Sequence, residues 1–182
     1  MIEIKKLSDL NSTEKEKALE EIEYIFFVSS SKKEFSSPEH KASFYKRWCG
    51  DFQTLYPHEF FLAMVDRRVL GYLSGCSNSS KALSEISVPG YEVFQDLFNK
   101  FPAHLHINFH PDARGKGLGS VLVNHYKEVL RAQKNPGLHL ITSPTAQNVS
   151  FYERLGFTHT ETRDFNGSPL HFMGCILTEP GN

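Results

Sequence analysis

The sequence contains no long apolar run, no internal repeat and no low-complexity tract. The longest apolar stretch near the N-terminus, YIFFV at 24–28, is far too short to cross a bilayer. The same end has no apolar segment of the kind that signal peptides carry. We therefore expect a cytoplasmic protein that does not span a membrane.

An excess of one charge and a set of paired cysteines are also missing. Twenty basic and 21 acidic side chains leave a net charge of -1, so no overall field favours nucleic acid as a partner. Cys49, Cys76 and Cys175 show neither metal-ligand spacing nor the even number of a disulfide framework. We expect them to be free thiols in a reducing compartment.

What the sequence does contain is enough apolar material for one globular domain over residues 1–182, since 40% of its residues are hydrophobic. Residues 2–7 and 103–109 alternate apolar with polar positions, which predicts strands. Apolar residues recur at helical spacing after Ser12 or Thr13, either of which can cap a helix. The small, polar segment 77–90 is expected to be a loop, and the Asn-Gly pair at 166–167 predicts a hairpin turn. The alternation of strands and helices along the chain predicts an α/β fold.

A glycine-rich stretch, HPDARGKGLGSVLV at 110–123, lies between a predicted strand and a predicted helix. The N-terminus of a helix offers free N–H groups and about half a positive charge. Glycines let the backbone approach an anion closely, and Arg114 and Lys116 add full charges. This combination predicts a pyrophosphate site. It is not a P-loop, because Gly117 rather than Ser or Thr follows Lys116, and its glycine spacing differs from that of a dinucleotide-binding fingerprint.

The same stretch resembles a known family signature. Arg114-x-x-Gly117-x-Gly119 is similar to the R/Q-x-x-G-x-G/A motif of GCN5-related N-acetyltransferases, the GNAT superfamily. The segment NVSFYERLGF at 148–157 resembles the second signature of that superfamily, and the likeness extends over roughly residues 55–160. Residues 101–123 are most similar to the acetyltransferase-like domain of O-GlcNAcases and to arylalkylamine N-acetyltransferases.

The resemblance implies a fold and a cofactor. The implied fold is a single N-acetyltransferase domain with a central, mixed, mostly antiparallel sheet, flanked by helices and splayed between strands 4 and 5. The implied cofactor is acetyl-CoA, with its pyrophosphate on the glycine loop and its pantetheine arm along the preceding strand. The residues expected to contact it are Ile107, Asn108, Phe109, Arg114, Gly115, Lys116, Gly117, Leu118, Gly119, Ser120, Asn148 and Tyr152.

Acetyl transfer by direct attack needs a neutral amine, whereas an alkylammonium has a pKa of about 10.4. A general base is therefore expected. His104 and His106 share one face of a predicted strand, about 7 Å apart, and either can take the proton directly or through water. The same pair offers two metal ligands, but no third ligand follows at a clear spacing, so we predict no metal site.

Tyr152 occupies the position where the superfamily usually keeps the proton donor for the departing thiolate. Its phenol, with an ordinary pKa of about 10, stays protonated when a thiol of pKa about 8.5 ionises. The expected acceptor is a small-molecule or peptide amine that contacts the first two helices and the segment from Ser77 to Phe101. Within that segment Tyr91, Phe94 and Phe98 are candidates for an aromatic wall.

A second interpretation stays open on the sequence alone. The domain is then a non-catalytic acyl-CoA-binding or interaction module, since Asn108 stands where the O-GlcNAcase-like domains tend to carry an acid. The sequence leaves the choice between a monomer and a homodimer undecided.

Overall fold

The computed structural model describes residues 2–177 and contains, in that range, seven strands and six α-helices. In chain order these are β1 Glu3–Lys6, α1 Ser12–Ser29, α2 Pro38–Tyr45, α3 Asp51–Leu55, β2 Phe60–Val65, β3 Arg68–Cys76, α4 Ser79–Glu85, β4 Ala103–Phe109, α5 Leu118–Ala132, β5 Gly137–Thr142, α6 Val149–Arg154, β6 His159–Phe165 and β7 Ser168–Ile176. A π-helical turn, Lys46–Gly50, joins α2 to α3.

The first helix begins one residue earlier than either predicted cap allows. The Asn11 side chain accepts a hydrogen bond from the Glu14 backbone N–H at 3.0 Å, and the Glu14 carboxylate accepts one from the Asn11 N–H at 3.2 Å. These two bonds form a capping box. The predicted caps Ser12 and Thr13 were wrong because the Asn11–Glu14 pair already satisfies the first helical donors.

The segment 77–90, predicted to be a loop, contains a short helix. The Asn78 side chain accepts a hydrogen bond from the Lys81 backbone N–H at 3.0 Å and so caps α4. Ser79 and Ala82 are buried on its inner face. The prediction was wrong because a capping Asn and two small buried residues suffice to start a helix in a polar segment.

The backbone divides into two compact units. The first comprises residues 2–75 and 106–123 of the described chain. Its strands β1, β2 and β3 pair antiparallel in that order, and β2 is joined to β3 by a tight turn in which Asp66 and Arg67 have φ values of 49° and 63°. The backbone N–H of His110 donates to the carbonyl oxygen of Leu70 at 2.8 Å, which pairs the end of β4 with β3.

The second unit comprises residues 76–105 and 124–177 of the described chain. Its strand order is β4-β5-β7-β6, with β4 parallel to β5 and the other two pairings antiparallel. The parallel ladder joins Ala103 to Leu138 and His104 to His139. The predicted Asn166–Gly167 turn is confirmed by φ values of 53° and 80°.

The predicted α/β fold, with a mixed and mostly antiparallel set of strands flanked by helices, is confirmed, and β4–β5 is a parallel pair. Strand β4 contributes Ala103–Leu105 to the second unit and His106–Phe109 to the first. The opening between β4 and β5 and the single domain over the whole chain stay predictions. Within residues 2–177, none of the helices combines the length and the apolar composition that a bilayer-spanning segment needs.

Candidate active site

The glycine loop enters α5 with two residues in the left-handed region. Gly115 and Gly117 have φ values of 72° and 77°, and a Cβ built on either residue would meet no atom within 4 Å. The space in front of both residues is therefore open, and neither conformation suits a residue with a side chain. The first helical bond runs from the Val121 N–H to the Gly117 carbonyl, so the N–H groups before it have no helical acceptor. The loop thus has the shape and the donors of an anion cradle.

The Arg114 side chain turns away from the open space and fixes the end of β4. Its Nε donates to the Phe109 carbonyl at 3.2 Å, and its Nη2 donates to the Ser29 hydroxyl at 3.1 Å. Ser29, at the end of α1, donates to the same Phe109 carbonyl at 3.4 Å. The guanidinium therefore ties the loop to β4 and to α1, while its predicted contact with CoA stays a prediction.

The two edges of strand β4 differ in what they contact in the first unit. In a strand, the N–H and C=O of one residue point to one edge and those of the next residue to the other. Because His110 bonds β3, the backbone of Ile107 and of Phe109 faces the opposite edge. The Phe109 carbonyl is occupied by Arg114 and Ser29, which leaves the Phe109 N–H and both polar groups of Ile107 at that edge.

His106 lies between aromatic side chains of the π-helical turn and of α3. The rings of Trp48 and Phe52 approach it edge-on, with centroid distances of 6.4 and 6.2 Å. Desolvation in this setting lowers the pKa of His106 to about 4, because burial disfavours the charged imidazolium. The imidazole is therefore neutral at physiological pH and able to accept a proton.

Asn108 shares the face of His106, two residues further along β4, and begins a buried polar network. Its Nδ2 donates to the Tyr72 hydroxyl at 2.8 Å, and that hydroxyl also hydrogen-bonds Cys49. Gln53 donates to Cys49 Sγ at 3.5 Å and to the Tyr45 hydroxyl at 2.8 Å. The network holds the amide of Asn108 through its Nδ2 group.

The Cys49 thiol at the centre of this network is not an activated nucleophile. Burial raises its pKa to about 12, so the thiolate is not populated at neutral pH. Cys76 and Cys175 are also buried free thiols. The first unit therefore offers a neutral histidine but no activated cysteine nucleophile.

His104, the other predicted base, has no exposed surface in the second unit. Its Nδ1 and the Ser79 hydroxyl share a hydrogen bond at 2.9 Å, and the ring of Tyr91 packs edge-on against it at 5.2 Å. This environment favours a structural role, and the catalytic assignment of His104 stays a prediction.

Tyr152 and Asn148 belong to the second unit, at α6. Tyr152 is buried between the rings of Phe151 and Phe157, and burial raises the pKa of its phenol above the usual range. The Asn148 side chain accepts a hydrogen bond from Thr142 at 3.3 Å. The predicted contacts of both residues with CoA stay predictions.

The aromatic residues proposed as a wall for the acceptor lie in a core instead. Phe94 and Phe98 are buried with Phe101 and Phe172 in one cluster. Sequence reasoning missed a different aromatic set. It consists of Trp48 in the π-helical turn, Phe44 on α2 and Phe35 in the segment before α2, which are partly buried and in ring contact. Phe44 and Trp48 are four positions apart, and this helical spacing was the signal that could have indicated the set.

Among residues 2–177, no group of three or more His, Cys, Asp or Glu side chains could hold a metal ion.

The sequence profile of the acetyltransferase (GNAT) family matches residues 19–157. Solved structures with a similar fold include SsHAT, which is 18% identical with a TM-score of 0.72 and with 98% of this chain and 99% of that chain covered. The ribosomal-protein-S18-alanine N-acetyltransferase from Escherichia coli is 17% identical with a TM-score of 0.60, covering 100% and 97%. The PaiA N-acetyltransferase from Thermoplasma acidophilum, solved in complex with coenzyme A, is 16% identical with a TM-score of 0.57, covering 97% and 99%.

Proposed function

This chain belongs to the acetyltransferase (GNAT) family and is an acyltransferase, and we propose that it moves an acetyl group from acetyl-CoA to a primary amine by direct attack. The observation that carries the proposal is the pair of left-handed glycines, Gly115 and Gly117, facing open space at the start of α5. A phosphate group has both room and backbone donors there.

The residues present fit acetyl-CoA. The N–H groups from Gly115 to Ser120 would hold its pyrophosphate, and Lys116, which is exposed, adds a positive charge beside them. The edge of β4 that carries the backbone of Ile107 and Phe109 would pair with the amides of the pantetheine arm as an added strand does. When bound, acetyl-CoA supplies the acetyl group as an activated thioester. The Phe109 N–H is the edge donor available to its carbonyl oxygen.

His106 acts as the base in this proposal, and its lowered pKa limits the protons that it can accept. Moving a proton from a free alkylammonium of pKa about 10.4 to an imidazole of pKa about 4 costs roughly 9 kcal/mol. His106 therefore does not deprotonate the free ammonium. The amine enters neutral, and His106 takes the far more acidic proton that nitrogen sheds as the C–N bond forms.

Three further features fit direct transfer. The protonated Cys49 thiol gives no route through an acyl-cysteine. The Tyr152 phenol, held protonated by burial, is the proposed donor to the departing sulfur. Asn108, with its amide fixed by Tyr72, offers an oxygen to an N–H of the incoming amine beside His106.

The deciding experiment measures CoA binding by calorimetry and release of free thiol from acetyl-CoA across a panel of amines. The panel contains arylalkylamines, polyamines, aminoglycosides and peptides with free N-termini. We expect micromolar binding of CoA and thiol release above hydrolysis with at least one amine. Binding without release by any acceptor would favour the non-catalytic acyl-CoA-binding alternative, and absence of CoA binding would refute both.

A further inference from the structure

A row of aromatic rings runs from His106 over the π-helical turn and α2 to the segment that precedes α2. We call Trp48, Phe44 and Phe35 the aromatic row. The Trp48 ring lies 6.4 Å from His106, Phe44 lies 6.3 Å from Trp48, and Phe35 lies 5.4 Å from Phe44. All three rings are only partly buried, so each keeps some surface that an apolar ligand can cover.

Lys32 lies over the far end of this row. Its ammonium is 5.4 Å from the centroid of Phe35 and 5.6 Å from that of Phe44. It also donates a hydrogen bond of 3.1 Å to Nε2 of His40, whose Nδ1 then donates to the Ser36 hydroxyl at 2.8 Å. The Lys32 head group is therefore held in place by two ring faces and one imidazole nitrogen.

The Lys32 ammonium has no carboxylate partner in the part of the chain that the structure describes. Within residues 2–177 no Asp or Glu oxygen lies within 4.0 Å of Lys32 Nζ, although Lys46, Lys81 and Arg163 each have such a partner. An ammonium that is partly buried over apolar rings loses hydration, and an anion that reaches it recovers that loss through a charge-assisted hydrogen bond.

We propose that the acceptor of this enzyme carries an apolar or aromatic body and, remote from its amine, an anionic group that Lys32 binds. The inference rests on the proposed amine acetylation. The amine lies at His106, the body lies on the aromatic row, and the anion meets Lys32. The positive charge at the far end also disfavours polyamines, whose second ammonium would face Lys32 without compensation.

The test uses two matched pairs of probes that differ only in the anion. The first pair is 4′-(aminomethyl)biphenyl-4-carboxylate and its 4-methyl counterpart, and the second is the corresponding pair with a terphenyl body, so that the longer probe can extend along the aromatic row. Dissociation constants are measured with CoA-saturated protein by calorimetry. We expect the carboxylate of at least one pair to bind about tenfold more tightly than its methyl counterpart, as one charge-assisted hydrogen bond at a partly exposed site allows.

Lys32→Gln should reduce this advantage to less than about twofold while leaving the methyl probe unchanged. Lys17→Gln, an exposed lysine near the opposite end of α1, makes the same change in net charge and should keep the full advantage. Equal binding of acid and methyl probes by the wild type overturns the proposal, as does an advantage that survives Lys32→Gln or disappears in Lys17→Gln.

The same probes separate this proposal from the proposed function. Thiol release is measured with all four probes. If the methyl amines are acetylated and the acids gain nothing, anion recognition fails and the acetyltransferase stands. If acids bind through Lys32 but no probe releases thiol, Lys32 recognition stands and the catalytic proposal fails.

Discussion

The two halves of strand β4 carry the same kind of residue in opposite settings. His104 belongs to the second unit, has no exposed surface, and is fixed by the Ser79 hydroxyl and the Tyr91 ring. His106 belongs to the first unit, and the rings of Trp48 and Phe52 pack edge-on against it. The period of two places both on one face, but the elements packed over that face give each histidine a different environment.

The interiors of the two units differ as well. The second unit fills its interior with rings, with Phe94, Phe98, Phe101 and Phe172 in one cluster. The first unit keeps a hydrogen-bonded chain inside, from Asn108 through Tyr72 to Cys49. A satisfied polar chain is costly to build and specifies one arrangement, which is what a site that orients a reacting amine requires.

The largest effect is expected at the glycine loop. It is tested with two glycines of similar backbone conformation, one in each unit. Gly117 and Gly167 have φ values of 77° and 80°, and a Cβ at either would meet nothing within 4 Å. Gly117→Asp places a carboxylate in the proposed phosphate cradle and should weaken CoA binding by at least about 100-fold. Gly167→Asp carries the same backbone strain in the hairpin turn and should leave CoA affinity unchanged.

Calorimetry with CoA measures both variants, and Gly117→Ala separates backbone strain from charge. Equal losses of affinity in the two aspartate variants would show that strain, not repulsion of phosphate, causes the effect. Full CoA binding by Gly117→Asp would place the pyrophosphate elsewhere.

The second prediction tests whether the two histidines of β4 have different roles. His106→Gln should lower kcat/KM by about 100-fold with CoA affinity kept, because it removes the base. His104→Gln should leave kcat/KM of the folded protein nearly unchanged and lower the free energy of unfolding by about 2 kcal/mol, because it disrupts a buried hydrogen bond and ring packing. Steady-state kinetics and urea unfolding of both variants measure these effects, and the reverse pattern would exchange the two roles.

Tyr152→Phe tests whether the second unit also contributes to the chemistry. The change keeps the packing against Phe151 and Phe157 and removes only the hydroxyl. If the phenol is the donor to sulfur, kcat should fall by about 100-fold with little change in CoA affinity. Pre-steady-state thiol release measures the step directly. Full activity in the variant would make Tyr152 a core aromatic and leave the departing thiolate to solvent.

Much of this fold follows from local patterns. The Asn166–Gly167 turn, the alternation of β4 and the strand-to-helix position of the glycine loop each depend on residues close in sequence, so the sequence predicts them. The helix α4 was missed because its only strong signal is the cap Asn78 within a polar segment. Side-chain alternation likewise predicted the shared face of His104 and His106.

The rest depends on residues far apart in sequence. Whether His106 is neutral is decided by Trp48 and Phe52, more than fifty residues earlier, and no local pattern indicates that contact. Arg114 looked like a phosphate ligand because of its charge, yet its guanidinium is directed at Phe109 and Ser29. The aromatic residues of 91–98 looked like a ligand wall, but an aromatic residue in a short helix serves a core equally well.

The pKa of His106 predicts a loss of stability in acid. Its folded value of about 4 lies below the ordinary value of about 6.5, so the unfolded chain binds the proton first as pH falls. The contribution of His106 to the free energy of unfolding is fully present above about pH 6.5. It is lost as the pH falls from about 6.5 to 4, and after allowance for partial exposure the loss is about 2 kcal/mol. His106→Phe should remove that component. Urea unfolding at pH 7 and pH 4.5 measures the difference, and an identical decline in both proteins would contradict the lowered pKa.

The smallest effect is expected where the polar chain holds Asn108. Tyr72→Phe removes the hydroxyl that accepts from Asn108 Nδ2 at 2.8 Å and that contacts Cys49. Burial already raises the pKa of this phenol well above its usual range, so the hydroxyl is neutral at any working pH and contributes only its hydrogen bonds. Losing them should cost about 1 kcal/mol of stability.

Activity separates a structural from a positioning role for that hydroxyl. A freed Asn108 amide can rotate and present its NH₂ group to an incoming amine, which needs an acceptor, so KM for the amine should rise about threefold to fivefold with CoA affinity unchanged. Tyr24→Phe, at an exposed tyrosine of α1, is the control and should change neither quantity. Asn108→Asp in the Tyr72→Phe background should restore KM, because both oxygens of a carboxylate accept. If Tyr72→Phe loses stability but keeps its KM, the polar chain is structural, and Asn108 does not contact the amine.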